Sequence, residues 1–198
     1  LRDAVLSVQD QTVRPREILI ADDGSTNPAT RDILAELESA PGVKVLRYES
    51  NEGLSATRNK LLSACTTELC MFLDHDDRLA TTFVEQTLQA MNTSDVEPTA
   101  VIAWRKHFGG DTDLRVDFNF DDYEVYLANV AYLAALLRTD VARSLGFVPS
   151  VRNGEADDWD FWLRFKAAGH RLVCVPQPLF YYHVAPGSMS WPWSIGQA

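Results

Sequence analysis

The chain has 198 residues, of which 46% are hydrophobic and 23% charged, a composition typical of one globular domain with a sizeable core. Its 28 acidic and 18 basic residues give a net charge of −10, which argues against nucleic-acid binding because no basic stripe is present to displace phosphate counterions. No apolar run approaches the roughly 18 residues of a membrane span. A small phosphorylated ligand is compatible with this charge if a cation lies between it and the protein.

The first 92 residues alternate between short apolar runs and segments with helical spacing. The second helical segment opens with Asn27 as N-cap and Pro28 as its first residue. Strands that alternate with helices and have nearly continuous apolar cores predict an α/β fold with a mostly parallel central sheet and helices on both faces. The predicted elements are a helix in AVLSVQDQT, a strand in Ile18–Ala21, a helix in NPATRDILAELESA, a strand in VKVLRYES, a helix in GLSATRNKLLSAC, a strand in ELCMFLD and a helix in ATTFVEQTLQAMN.

The pattern is looser after Asn92. TAVIAWRKHF predicts a strand, VAYLAALLRTDVARSLG mixes strand and helix signals, and HRLVCVPQPLFYYHV predicts a terminal pair of strands interrupted by prolines. DDWDFWLRFKAAG has the apolar face of a helix, which Gly169 can close. The polar loop between Gly109 and Tyr123 is expected to be mobile and, with residues 138–152, to shape a second binding site.

Carboxylates gather where two of the predicted strands end. Asp22 and Asp23 follow the first strand, and Asp74, Asp76 and Asp77 follow the third. Open parallel sheets bind ligands beyond the carboxyl ends of their strands. Acids at strand ends can also simply cap the next turn. Three clustered carboxylates repel one another, however, and a Mg²⁺ or Mn²⁺ ion would relieve the repulsion while binding phosphate oxygens.

A further acidic group opens the last predicted helix, in NGEADDWDFWLR. Acids there interact well with the helix dipole, which is one explanation for Asp157, Asp158 and Asp160. The other explanation is sugar chemistry, in which a carboxylate accepts a hydroxyl proton and the indole of Trp159 packs on a pyranose. Arg58, on the predicted helix GLSATRNKLLSAC that precedes the third strand, is either a surface residue or a partner for phosphate or carboxylate.

Three segments, in this order and spacing, resemble the family 2 glycosyltransferases with the GT-A fold: SVQDQTVRPREILIADDGST, NEGLSATRNKLLSACTTELCMFLDHDD and GEADDWDFWLRFKAAGH. The resemblance implies a metal-dependent inverting transfer of a sugar from a nucleoside-diphosphate sugar to an acceptor hydroxyl, in polysaccharide biosynthesis. It implies a single domain, in which residues 1–92 bind the nucleotide and residues 93–198 bind the acceptor. A UDP-sugar is the first donor to try, and the acceptor would be a carbohydrate or a glycolipid.

The resemblance also implies roles for single residues on the donor side. Asp22, Asp23 and Ser25 match positions that hold the base and ribose, Arg58 matches the arginine near the nucleotide, and Asp74 matches a ribose ligand. All five are therefore predicted to bind the nucleotide.

The remaining implied roles concern metal, catalysis and acceptor. Asp74 and Asp76 match the acid–x–acid motif that holds Mn²⁺ or Mg²⁺ on the diphosphate. Asp158 matches the catalytic base. Asp157 and Trp159, its neighbours, are predicted to contact the acceptor.

The sequence also departs from the family pattern. The first strand of the family fold would precede Leu1, so we expect the chain to be part of a longer protein. Asp157 stands where relatives usually have glutamate. Relatives often have arginine at His183 and histidine at Ala185, so His183 is expected to be a strand-end residue rather than a metal ligand. Asp77 matches an extra acid common in the family.

Two alternatives stay open. A nucleotidyltransferase would use a similar domain with metal and diphosphate, usually with an N-terminal Gly-rich loop. A non-catalytic module that binds nucleotide or carbohydrate is the other alternative. A phosphatase of the Asp-x-Asp-x-Thr type does not fit, because DHDDR lacks the threonine. We expect a cytoplasmic location, or membrane association through the rest of the protein.

Overall fold

The computed structural model describes residues 1–110, 114–115, 129, 131–148 and 157–185. Through residue 70, helices and strands alternate as predicted. The elements are α1 (Arg2–Gln9), β1 (Ile18–Asp23), α2 (Pro28–Glu38), β2 (Val43–Tyr48), α3 (Leu54–Ala64), β3 (Leu69–Cys70), β4 (Arg78–Leu79), α4 (Phe83–Thr93), β5 (Ala100–Gly109), β6 (Leu114–Arg115), β7 (Leu136–Arg138), α5 (Thr139–Leu145), α6 (Asp157–Ala167) and β8 (Leu172–Val184).

Local signals in the sequence explain two of the helix ends. The Asn27 side chain accepts a hydrogen bond from the Ala29 amide at 2.9 Å, and Pro28 is the first residue of α2. Asn at the N-cap satisfies a free amide, and Pro at the first helical position loses no bond. Gly169, just beyond α6, has a φ of +78°, a conformation that glycine adopts without steric cost. The predicted start of α2 and end of α6 are confirmed.

The strands form a two-stranded sheet, β1–β2, and a six-stranded sheet in the order β3–β7–β5–β8–β4, with β6 paired to β5. The two long ladders, β1–β2 and β5–β8, are parallel, and the four short ladders are antiparallel. The sheet is thus mixed, although most paired residues lie in parallel ladders. Four successive residues of β5, Ala100 to Ala103, are buried, so both faces of this strand are covered.

Two predicted strands differ from the observed ones. Only Leu69 and Cys70 of ELCMFLD pair with another strand, and the rest of this apolar run is held by side-chain packing: Phe72 lies edge-on to Phe147 at 5.2 Å. The predicted terminal strand pair is one strand, β8, whose register against β5 shifts around Trp104. The prolines of β8 produce this irregularity, because proline has no amide hydrogen to donate.

The hydrophobic side chains form two clusters. The smaller one lies between α1, α2 and the two-stranded sheet and consists of Val5, Ile20, Leu34, Leu37 and Val45. The larger one surrounds β5 and β7 and includes three aromatic residues of α6, Phe161, Trp162 and Phe165, which are fully buried. The start of α6 is therefore fixed to the main sheet. Of the helices in the described residues, none is long and apolar enough to cross a bilayer.

Candidate active site

Asp22 and Asp23, at the end of β1, both hold nearby backbone. An Asp22 carboxylate oxygen accepts the amide of Ser25 at 2.9 Å, and Asp23 accepts the amides of Glu52 and Gly53 at 3.0 and 2.9 Å. The Asp22 contact is the one expected from the turn-capping alternative, whereas the Asp23 contacts reach amides 29 and 30 residues further along the chain. They tie the end of β1 to the start of α3. Nucleotide binding by Asp22, Asp23 and Ser25 stays a prediction.

Gly24 explains how closely these two segments approach each other. Its φ is +77°, and a Cβ there would lie 2.8 Å from a backbone carbon of Ser50. Any larger residue would push apart the turn after β1 and the segment after β2. The two parallel strands therefore end side by side at one edge.

The acids after β3 form a tight turn, which we call the acid loop (residues 74–77). The Asp77 amide donates to the Asp74 carbonyl at 3.1 Å. The Asp74 and Asp76 side chains are 52% and 44% exposed, whereas Asp77 is only 3% exposed. Asp77 accepts the backbone amide of His183 at 2.8 Å. The turn thus directs two carboxylates outward and one inward.

Asp77 is strongly perturbed by its position. The pKa of Asp77 is raised to about 8, mainly by burial and also by the charges of Asp74 and Asp76, while the His183 amide and Arg105 act in the opposite direction. The side chain is therefore largely protonated near neutral pH. In that form it adds little to the repulsion within the acid loop.

His183 approaches the acid loop from the end of β8. The sequence predicted a strand-end residue, and His183 is the residue before the last of that strand. Its Nδ1 lies 3.4 Å from an Asp76 carboxylate oxygen, and its ring is 5.0 Å from that of Phe108. The contact with Asp76 was not predicted. The final strand therefore touches both Asp76 and Asp77.

Arg58 lies buried between the acid loop and the start of α6. Its Nη1 donates to Asp157 at 2.7 Å, and its Nη2 is 3.3 Å from an oxygen of Asp74. The second oxygen of Asp157 accepts the Ser55 hydroxyl at 3.1 Å, and Asp157 is only 2% exposed. The acceptor contact predicted for Asp157 and the nucleotide contact predicted for Arg58 both stay predictions.

A row of aromatic rings supports this arrangement. Phe147 meets Phe72, two residues before the acid loop, edge-on at 5.2 Å, and stacks on Phe161 of α6 at 5.0 Å. The Arg58 guanidinium lies 5.6 Å from the centroid of Phe147. Aromatic pairs at these separations are attractive. The acid loop and α6 are therefore held together by packing as well as by charge.

Asp158 is the half-buried acid at the start of α6. The Asn129 side-chain amide donates to one of its oxygens at 2.9 Å, and the Trp159 amide donates to the other at 2.8 Å. Burial raises the pKa of Asp158, and the neighbouring charge of Asp157 adds to the increase; Asn129, Arg58 and the Trp159 amide act in the opposite direction. A raised pKa suits a carboxylate that must accept a proton. Acceptor binding by Trp159 is not tested by this structure.

Three residues of the site were missed by the sequence reasoning. Asn129 lies in a segment without clear periodicity, Ser55 is one polar residue among several on α3, and Phe147 reads as ordinary core. No local pattern points to any of them. Most of the loop between Gly109 and Tyr123, and residues 149–152 of the second predicted site segment, lie outside the described residues.

Asp74 and Asp76 have the chemistry that a divalent cation requires. Both are half-exposed carboxylates, and carboxylate oxygens are ligands that Mg²⁺ and Mn²⁺ prefer. Within the described residues, no three His, Cys, Asp or Glu side chains already converge on one point. A cation here would therefore take other ligands from a diphosphate and water, as Mg²⁺ commonly does.

Solved structures identify the fold. S. aureus TarS in complex with UDP has a similar structure, with a TM-score of 0.76 and 19% identity, covering 93% of this chain and 56% of that chain. TarS in complex with UDP-GlcNAc matches with a TM-score of 0.73. These likenesses confirm the predicted GT-A fold.

A sequence comparison identifies the family. The model of "Glycosyl transferase family 2" matches residues 1–141, so the chain belongs to that family. An uncharacterized glycosyltransferase of Nostoc sp. is 36% identical over 97 residues, which cover 48% of this chain and 30% of the relative. The Bacillus subtilis protein TuaG, a putative teichuronic acid biosynthesis glycosyltransferase, is 37% identical over 92 residues, covering 46% of this chain and 36% of TuaG. The chain thus spans about a third of the length of these curated relatives.

Proposed function

We propose that this chain is a metal-dependent inverting glycosyltransferase that moves a sugar from a nucleoside-diphosphate sugar to an acceptor hydroxyl. The acceptor oxygen attacks the anomeric carbon from the side opposite the diphosphate, the bond from that carbon to the phosphate oxygen breaks, and the nucleoside diphosphate leaves. The hydroxyl proton passes to the Asp158 carboxylate. Family membership favours this reaction over the nucleotidyltransferase alternative.

One observation supports the proposal most. The chain of contacts from Asp74 through Arg58 to Asp157 joins the acid loop to the turn of α6 that carries Asp158. The loop whose acids could bind a donor is thereby joined to the backbone that carries a carboxylate able to accept a proton. Proximity of this kind is what a general base requires.

The proposed donor site consists of the acid loop and the end of β1. Asp74 and Asp76 would hold Mn²⁺ or Mg²⁺, and Asp22, Asp23 and Ser25 would lie near the nucleoside. When bound, the cation would supply electrostatic stabilisation for the charge on the diphosphate. UDP is the first nucleotide to test, because TarS was crystallised with it. The acceptor is proposed to be a carbohydrate or glycolipid that packs against Trp159.

The test begins with titration of nucleoside diphosphates, UDP first, into the protein with and without Mn²⁺ in a calorimeter. A panel of nucleotide sugars is then assayed for release of nucleoside diphosphate, with carbohydrate acceptors and without them. Asp158→Asn should lower turnover about 10²- to 10⁴-fold, the usual contribution of a general base, and leave UDP binding nearly unchanged.

Asp160→Asn is the matched control. Asp160 lies one turn into the same helix, half-exposed, in an ion pair with Arg164 at 2.8 Å. This variant should retain turnover. Near-native turnover of Asp158→Asn would exclude Asp158 as the base. Binding of UDP and Mn²⁺ without any transfer or hydrolysis across the panel would instead favour the non-catalytic alternative.

A further inference from the structure

We infer that Arg58 is a cation shared between two carboxylates, and that the buried Asp157 keeps Asp74 available for a divalent cation by retaining Arg58. Arg58 and Asp157 are then positioning residues that act through Asp74. The inference rests on the proposed function, because it concerns the cation site of the donor. It gives Asp157 a role different from the acceptor contact that the sequence predicted.

The Arg58 guanidinium lies closer to one of its two carboxylate partners than to the other. The Arg58 Nη1 is 2.7 Å from Asp157, whereas its Nη2 is 3.3 Å from Asp74. The Ser55 hydroxyl, at 3.1 Å, fixes the other oxygen of Asp157. Arg58 and Asp157 are both buried, and Asp74 is half-exposed. The short contact is therefore the one shielded from water, where charge attraction is strongest.

This division affects the acid loop. An arginine paired fully with Asp74 would neutralise that carboxylate and repel an incoming cation. Asp157 prevents full pairing because it holds the guanidinium on the far side. Without the charge of Asp157, Arg58 would move closer to Asp74 and compete with the metal. When the charges of both Arg58 and Asp157 are removed, no guanidinium remains to compete with the metal.

The first test needs neither ligand nor activity. Thermal unfolding of the metal-free protein is compared for Asp74→Asn, Asp157→Asn and the double variant, which together form a double-mutant cycle. Because Arg58 turns to Asp74 when Asp157 is neutral, Asp74→Asn should lower the melting temperature more in the Asp157→Asn background than in the wild type. With Asp160→Asn in place of Asp157→Asn, the effects should add. Additive effects in both cycles would overturn the inference.

The second test measures Mn²⁺ binding, alone and with UDP, by calorimetry. Asp157→Asn should weaken it about three- to tenfold, a modest change in charge interaction near the protein surface. The charge-balanced variant R58Q/D157N should bind Mn²⁺ at least as tightly as the wild type. Arg58→Gln alone leaves a buried carboxylate unpaired and is destabilised, so the comparison relies on the double variant.

Each other outcome has a definite meaning. If Arg58 and Asp157 only stabilise the fold, R58Q/D157N should bind Mn²⁺ as weakly as Asp157→Asn or more weakly. That result would refute the sharing of Arg58. Unchanged Mn²⁺ binding in Asp157→Asn together with a raised KM for the acceptor would restore the acceptor role. If the wild type binds neither Mn²⁺ nor any nucleoside diphosphate, the proposed function fails, and the unfolding cycle still decides whether Arg58 is shared.

Discussion

The acid loop and the start of α6 each place a buried carboxylate directly beside a more exposed one. In the acid loop Asp77 is buried and Asp76 is exposed; on α6 Asp157 is buried and Asp158 is half-buried. The buried members differ in their partners, since Asp77 binds a backbone amide of β8 and Asp157 binds a guanidinium. In each pair the buried acid holds a neighbouring part of the protein, and the other acid stays more accessible.

The difference in partners has a consequence for charge. A backbone amide is a neutral donor and compensates burial only in part, so Asp77 has a raised pKa. Asp157 has a full positive charge within 2.7 Å and the Ser55 hydroxyl as well. The acid loop is therefore anchored by a hydrogen bond and α6 by an ion pair, so the two regions should respond differently to substitution and to pH.

The largest expected effect tests the anchoring of the acid loop. Because the pKa of Asp77 is raised to about 8, its ionisation opposes folding, and the contribution of Asp77 to metal-free stability should fall as pH rises from the ordinary aspartate range to about 8. The slope is about 1.4 kcal/mol per pH unit in that window. Asp77→Asn keeps an acceptor for the His183 amide and lacks this slope. It should therefore gain stability relative to the wild type as pH rises.

Urea unfolding of both proteins at several pH values across this window measures the difference. Asp95→Asn, an exposed acid outside the loop, serves as the control and should parallel the wild type at each pH. A difference between Asp77→Asn and the wild type that is independent of pH would mean that Asp77 is ionised throughout, contrary to its buried position.

The next effect concerns the exposed member of the loop. Asp76→Ala should weaken Mn²⁺-dependent UDP binding at least about tenfold, the loss expected when a charge-assisted contact of roughly 1.5–3 kcal/mol disappears. Asp77→Asn should change this binding much less, because Asp77 faces inward. Calorimetry with and without Mn²⁺ measures both. Equal losses of UDP affinity in the two variants would contradict the proposal that Asp76 binds the cation while Asp77 only holds the loop.

The smallest effect tests the environment of Asp158. The pKa of Asp158 is raised by burial, so the acidic limb of the kcat–pH profile should lie above the ordinary aspartate range. Asn129 donates to the carboxylate and opposes the increase. Asn129→Ala should therefore shift this limb to still higher pH. The variant should keep its kcat plateau at high pH, and a lower plateau with an unmoved limb would assign Asn129 a different role.

Much of the fold was predictable because local signals agree with it. Apolar periodicity located the first helices and strands, and Asn27 with Pro28 marked the start of α2. The strand predicted in ELCMFLD ends at Cys70, since backbone pairing depends on β7, which lies far along the chain. The prolines of β8 suggested a break, yet pairing with β5 continues past them. Tertiary contacts, which no short window contains, decided both cases.

The site was predictable to a different degree. Residue type and spacing located the acidic clusters, because carboxylates at strand and helix ends are visible in the sequence. They did not distinguish Asp157 from Asp158, since adjacent aspartates look alike until burial separates them. The contacts of Arg58 join residues separated by 99 and 16 positions, and only the folded chain brings these together.

The contacts of the final strand, β8, constrain the length of that strand. β8 has 13 residues, ten of which pair with β5, and near its end the His183 amide is bound to Asp77 and the His183 ring lies beside Asp76. Side chains alternate between the faces of a strand, so one residue gained or lost after the proline irregularity would turn His183 away from the acid loop. Relatives that share this contact should therefore tolerate insertions in their loops far more readily than in the second half of this strand.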